Sequence, residues 1–275
     1  MNRAVCATSR PIGKSVEGRE IVTHANFDLA GGAPTGATLL IGGMHGDEKA
    51  TVFLVEAFRQ CFLSEPGLVP PTAALPLANP DGFEIGSRYN ARGVDINRNC
   101  EYNWHAESEE PPGPEPWSEP ETRALRDFIL RLRPSKIVSL HWALSEIDAD
   151  GPQSTDLAKV MWGAMGESDR RPYRVRISEL GRGLRRLEHT YEICPGSLGQ
   201  WCGYGLRYEG GGAPAMITLE LPYDPAAESR PTPLPDGHLD RVRSAWGRDP
   251  AAYLAAVEGP VHKMLLAACR FARCV

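Results

Sequence analysis

Short apolar runs that stop abruptly at glycine or polar positions punctuate this chain. Thr38-Leu39-Leu40-Ile41 gives way at once to Gly42-Gly43. So brief an apolar run, bounded by glycines, predicts a buried strand followed by a sharp turn. Lys136-Ile137-Val138-Ser139-Leu140 and Ala215-Met216-Ile217-Thr218-Leu219 repeat the pattern, and Ala73 to Leu77 predicts a further strand. Near the start, residues 11–22 predict two short strands about a turn at Glu17-Gly18. Between these runs the spacing becomes helical. Residues 50–63 and 155–167 predict helices, and Leu125, Phe128, Ile129 and Leu132 mark one face of another. Ser118 and Glu121 read as the N-cap and N3 partner of a capping box for that helix, which Pro134 ends. Residues 251–271 predict a last helix with Leu254, Val257, Val261, Leu265 and Ala268 on one face, kinked or split by Pro260. Asn79-Pro80-Asp81-Gly82 reads as a turn. No repeat and no linker divides the sequence, so an α/β chain forming a single domain over residues 1–275 is expected.

Composition narrows the function classes. The 275 residues carry 30 basic and 35 acidic side chains, a net charge of −5. Nothing in that balance draws the chain to nucleic acid or to an anionic membrane. No apolar run approaches the roughly 20 residues that span a bilayer. The first ten residues hold no apolar core of a signal peptide, so no export signal is expected. Seven cysteines (Cys6, Cys61, Cys100, Cys194, Cys202, Cys269 and Cys274) are odd in number and include no C-x-x-C. Free thiols in a cytoplasmic protein fit better than a disulfide framework or a cysteine zinc site. The acidic, proline-rich residues 106–117 read as a solvated loop. The basic segment from Arg170 to Arg186 reads as a solvated helical face with its flanks rather than an anion patch. A glycine- and aromatic-rich stretch from Gly196 to Gly212 suggests a structured loop, and residues 224–237 a proline-rich one.

The candidate chemistry lies where the strands stop. His45 and Glu48 follow the first buried run, His141 ends the second, and Glu220 lies near the end of the third. In open α/β sheets, sites gather at the carboxyl ends of strands, which gives a physical reason to bring these residues together. Two His and one Glu would leave a fourth position open on Zn2+, the catalytic rather than the structural pattern.

The order His45-x-x-Glu48, Asn79-Pro80-Asp81-Gly82, Gly93-Val94-Asp95-Ile96-Asn97-Arg98-Asn99, His141 and Thr218-Leu219-Glu220 resembles that of zinc carboxypeptidases of the carboxypeptidase A type. Arg88-x-Asn90-Ala91-x-Gly93-Val94-Asp95, Ser118-Glu119-Pro120-Glu121-Thr122, Pro195-Gly196-Ser197-x-Gly199-x-Trp201 and Thr218-x-Glu220-x-Pro222 are most similar to the bacterial murein peptide amidase branch of that family. The likeness runs from about Ile12 to Pro222. It implies a central mixed, mostly parallel β-sheet flanked by helices. It also implies one Zn2+ held by His45, Glu48 and His141, with Glu220 as general base and then general acid. Arg88, with Arg92 as the competing candidate, would stabilise the oxyanion. Asn97 and Arg98 would grip a terminal carboxylate, and Asp95 would orient His45. The implied partner is a small peptide with a free terminal carboxylate, and the implied reaction is hydrolysis of the amide bond to the last residue, most of all γ-D-glutamyl–meso-diaminopimelate. Trp142 and the lengths of the segments from Arg170 to His189 and from Tyr208 to Pro214 depart from that branch and concern the pocket walls.

Two other enzymes share parts of this pattern. A carboxypeptidase acting on α-linked or glutamylated peptides would use the same metal chemistry. A deacylase resembling succinylglutamate desuccinylase and aspartoacylase would use the same H-x-x-E and later His. Asn79-Pro80-Asp81-Gly82 and residues 93–99 favour the peptidase side. A non-catalytic binding module on this fold is disfavoured by the intact candidate ligands and Glu220.

Overall fold

The computed structural model describes residues 8–30, 34–65, 67–177, 194–222 and 250–272. The expectations for residues 224–237 and for the basic segment beyond Ile177 fall outside them.

Eight strands among the described residues form one sheet in the order β1-β2-β4-β3-β5-β8-β6-β7. They are β1 (Thr8–Lys14), β2 (Glu20–Ala25), β3 (Thr38–Ile41), β4 (Thr72–Leu75), β5 (Lys136–Trp142), β6 (Glu146–Asp150), β7 (Arg174–Ile177) and β8 (Ala215–Leu221). At the centre, β3 pairs in parallel with β4 and β5, and β5 with β8; β6 and β7 are also parallel. The pairs β1–β2, β2–β4 and β6–β8 are antiparallel. The sheet is therefore mixed with a parallel centre, as the resemblance implied.

Helices cover both faces because the central strands are apolar on both. Leu40, Val138, Leu140, Ile217 and Leu219 face one core. That core is shared with α1 (Lys49–Ser64), α4 (Thr155–Ala164) and the C-terminal helix Pro250–Arg270. Leu39, Ile41, Ile137 and Met216, one residue out of phase, face the other core under α3 (Pro120–Leu132). Each strand thus feeds two cores by simple alternation.

Several boundaries differ from the sequence reading. Asn79-Pro80-Asp81-Gly82 is not a turn but the start of α2 (Pro80–Ile85): Asn79 caps it by accepting from Gly82 N at 2.9 Å, with proline in the first turn. The N-cap of α3 is Glu119, with no side-chain cap bond. Ser118 is spent instead on Asn99 and Glu119, and Glu121 accepts from Val16 N and Asn90, so no capping box forms. The C-terminal helix runs through Pro260 without splitting. Proline removes one hydrogen bond there, while burial of Val257, Val261, Leu265 and Ala268 holds both halves. Strands β6 and β7 were not foreseen, and β7 falls within the segment read as a helical face.

Candidate metal centre and catalytic site

Strands β4, β3, β5 and β8 run the same way, so their carboxyl ends share one edge of the sheet. The turn after β3 is fixed from both sides. Thr51 in α1 accepts from Gly43 N at 2.9 Å and donates to Glu48 O at 2.7 Å. Gly46 packs backbone to backbone on Gly82, where an added Cβ would lie 2.0 Å from the Gly82 carbonyl carbon. Two motifs far apart in sequence therefore meet at a glycine–glycine contact, and His45 and Glu48 are placed by it.

His45, Glu48 and His141 are all buried, and their candidate ligand atoms lie within 4.8 Å of one another. His45 Nδ1 is 2.7 Å from Glu48 Oε1 and 3.4 Å from His141 Nδ1, which in turn lies 3.5 Å from Glu48 Oε2. Both imidazoles use their other nitrogen outward. His45 Nε2 meets Asp95 Oδ1 at 3.1 Å, and His141 Nε2 meets Ser139 Oγ at 3.1 Å. Their Nδ1 atoms thus face a common carboxylate, while outer partners set ring orientation. Glu48 Oε2 also accepts from Trp142 N at 3.1 Å. This donor set, two imidazole nitrogens and a carboxylate, fits Zn2+ and leaves room for a further ligand.

The charges are tightly matched. Burial and Arg88 work to depress His45, yet Glu48 and Asp95 outweigh them and lift it to about 9. Burial works against ionisation of Glu48, but His45 and His141 bring it down to about 2. Burial likewise opposes the Asp95 carboxylate, but Arg88 and His45 hold it well below the usual range. Burial pushes His141 down.

Glu220 lies directly across from His141 in the parallel β5–β8 register and across from Glu146 on its other side. Paired residues point to the same face of a sheet, so the three side chains stand in a row. Glu220 is half-buried, and its Oε2 is buried without a hydrogen-bond partner among the described residues. Burial, then Glu48, push its carboxyl up to about 8. An orphaned acceptor beside a cluster of metal-type donors suits a group that handles a proton.

Of the two candidate oxyanion arginines, Arg88 reaches this centre. Its Nε and Nη2 bind Asp95 Oδ2 at 3.0 and 2.9 Å, and its Nη1 is 3.2 Å from His45 Nδ1. Arg92 points elsewhere, 3.5 Å from Glu119, with an exposed side chain. Asp95 caps the short 3-10 helix Ile96–Arg98 by accepting from Asn97 N at 2.8 Å. Asn97 Oδ1 accepts from Leu198 N at 3.0 Å, joining the segment to the Gly196–Ser197–Leu198 turn. Arg98 is half-buried, donates from Nη1 to Asn97 O at 2.8 Å, and makes no ion pair among the described residues.

Ser139 and Glu146 escaped the sequence reading. Ser139 sits two residues before His141, so strand alternation alone places it on the same face. Glu146 depends on the β6–β8 register, which no local pattern reveals.

Comparison with known proteins agrees with this geometry. The zinc carboxypeptidase family pattern matches residues 6–145. Murein peptide amidase A of Escherichia coli K12 is 32% identical over 179 residues, covering 60% of this chain and 65% of that protein's length. The chain therefore matches slightly less than two thirds of this relative. The Vibrio campbellii murein peptide amidase A is 30% identical over 200 residues, covering 67% of this chain and 68% of its own. Among solved structures, murein-tripeptide amidase from Escherichia coli O157 aligns at a TM-score of 0.54 and 26% identity, covering 88% of this chain and 93% of that one. Bovine thrombin-activatable fibrinolysis inhibitor, at a TM-score of 0.68 and 18% identity over 96% of this chain and 89% of its own, shares the fold. On these matches and this donor set, the chain belongs to the zinc carboxypeptidase family.

Proposed function

We propose that this chain is a zinc-dependent hydrolase that releases the last residue of a small peptide, and that its preferred bond is γ-D-glutamyl–meso-diaminopimelate in murein peptides. The observation that carries the reading is the convergence of His45, Glu48 and His141 beside a carboxylate oxygen of Glu220 that has no partner among the described residues. The murein preference is supported by the murein peptide amidase relatives. Free thiols among the described residues, at Cys61, Cys100, Cys202 and Cys269, support a reducing, cytoplasmic setting. Among the described residues, no helix is long and apolar enough to cross a membrane.

Each group has a defined task in this reading. His45, Glu48 and His141 hold one Zn2+, which when bound supplies Lewis-acid activation of water and of the scissile carbonyl. Glu220 accepts the proton of the attacking water and returns it to the leaving amine. Arg88, anchored on Asp95 by one edge, offers Nη1 to the developing oxyanion. Donors of this kind are worth about 3 kcal/mol when removed singly. Arg98, with its charge unpaired among the described residues, takes the terminal carboxylate in a bidentate manner and restricts cleavage to the chain end. Asn97 adds a hydrogen bond from the same short helix.

The test is hydrolysis of L-Ala-γ-D-Glu-meso-diaminopimelate by zinc-loaded protein, with an ordinary α-linked peptide in parallel. Release of diaminopimelate with little action on the α-linked peptide is expected. The reverse preference would move the substrate assignment to ordinary C-terminal residues and leave the zinc chemistry standing. Glu220→Gln is expected to keep its zinc and lose turnover by at least about a hundredfold. Undiminished turnover would remove Glu220 from the mechanism.

A further inference from the structure

The acidic residues 106–117 form no regular element, yet one of their side chains turns toward the centre. Glu110 Oε1 lies 3.7 Å from Arg88 Nε, and its Oε2 accepts from the Tyr89 hydroxyl at 2.6 Å. Besides Glu48 in the centre itself, two carboxylates therefore hold Arg88 from outside. Asp95, fully buried, takes its Nε and Nη2; Glu110, with its side chain 24% exposed, sits at the rim. What remains is Nη1, facing His45 Nδ1 at 3.2 Å and Glu48 Oε1 at 3.7 Å. The loop is bolted to the same frame. Asp95 N donates to Pro111 O at 2.8 Å, and Pro112 O accepts from Asn99 Nδ2 at 2.7 Å and Trp104 Nε1 at 3.1 Å. A merely solvated glutamate would be free to leave; this one is held by a phenol beside it in space and by the backbone bond of its chain neighbour. Its hydrogen bond with Tyr89, aided by burial, pushes that phenol up to about 12.

We propose that Glu110, locked by Tyr89, is a positioning residue for Arg88, adding a second anion at the Nε end of the guanidinium so that Nη1 stays aimed at the reacting centre. The proposal rests on the zinc-peptidase reading of the site. A guanidinium gripped along one edge by Asp95 can still swing about that edge. A second anion on the Nε side narrows the swing, and Tyr89 prevents that anion from drifting into solvent. Placement of a catalytic donor matters steeply, since a displacement of about 1 Å can cost about a hundredfold in rate.

Kinetics on the zinc-loaded protein test this. Glu110→Ala and Tyr89→Phe are each expected to lower kcat about tenfold while KM stays within about twofold, because Arg88 acts at the transition state. The Tyr89→Phe/Glu110→Ala double variant is expected to be no worse than the poorer single one, because the two act as a unit. Glu110→Gln, which can accept from Tyr89 only by turning its amide NH2 toward Arg88, is expected to recover little of the loss. In an Arg88→Ala background, Glu110→Ala should cost nothing more; a persisting tenfold loss there would mean a general structural role and overturn the proposal.

A second measurement needs no turnover. The Arg88 Nε–H signal in a 15N spectrum, assigned by its loss in Arg88→Lys, is expected to be protected in the wild type. It should exchange with solvent at least about fivefold faster in Glu110→Ala. Unchanged exchange overturns the proposal whatever the enzyme hydrolyses. Faster exchange in a protein that cleaves no peptide would instead sink the functional reading and leave Glu110's grip on Arg88 in place.

Discussion

Glu220→Gln should make the zinc-stripped protein more stable, and only above mildly acidic pH. In the metal-free fold the Glu220 carboxyl is pushed up to about 8 from an ordinary 4.5 by burial and by Glu48, with Glu146 adding to the effect. The sign follows from proton uptake. Between these two values the unfolded chain has released the proton while the folded chain keeps it, so folding loses stability as pH rises through that window. The loss is complete above the folded value. A gap of this size corresponds to about 4 to 5 kcal/mol at about 1.4 kcal/mol per unit. Glu220 is half-buried, and water reaching it trims the figure to about 2 to 3 kcal/mol. Glutamine removes the ionisation and keeps the shape. Urea unfolding of chelator-treated wild type and variant should therefore give nearly equal stabilities at pH 5. By pH 8.5 the variant should lead by about 2 to 3 kcal/mol, with unchanged m-values. Added Zn2+ should narrow that lead, because a nearby cation favours the carboxylate. A difference that does not vary between pH 5 and pH 8.5 would refute the placement of Glu220 among like charges.

Three other outcomes follow from the geometry. Asp95→Asn should weaken zinc binding about 10- to 100-fold in a competitive chelator titration, because Asp95 orients His45 through Nε2. Asp81 accepts from Ser15 Oγ, Glu17 N and Arg19, and despite burial these bonds hold its carboxyl below the ordinary value. Asp81→Asn should cost about 2 kcal/mol at pH 7; because that stability is present above the ordinary carboxyl range and lost as pH falls through the depressed value, thermal melts of the two proteins should draw together as the pH is lowered below the ordinary carboxyl range. Gly196→Ala should cripple both folding yield and turnover, since Gly196 has φ +70° and an added Cβ would lie 2.2 Å from Arg98 O; a fully active variant would show that this turn can move away from Arg98.

The elements that a sequence reveals best are those where one physical demand dominates. The buried run Thr38–Ile41 matches β3 residue for residue, since nothing but a doubly covered strand wants so short an apolar stretch ended by glycines. β6 was hidden because Glu146 and Asp150, both buried, look like surface residues until a neighbouring strand and its register are known. Ser118 drew the helix start one residue too early. Pro120 carried the better signal, as proline suits the first helical position. Asn79-Pro80-Asp81-Gly82 is chemically ambiguous between turn and helix start, and tertiary context decides, with Asp81 tied back to the β1–β2 turn. The candidate site was legible in its residue types and spacing; what the sequence withheld was direction. Only the fold shows that Arg88 turns inward and Arg92 outward, and that a loop glutamate meets the former.

The β5–β8 register places His141 and Glu220 on adjoining rungs of a ladder. The separation between a candidate metal-holding group and its proton carrier is then fixed by the interstrand spacing, about 4.8 Å, a lattice constant that no loop sequence can alter. Loops around the cleft can lengthen, shorten or be exchanged without detuning that distance. A designer wishing to redirect this scaffold to another peptide could graft new walls freely. Slipping β8 by a single residue, by contrast, would turn Glu220 to the opposite face and silence every such graft at once.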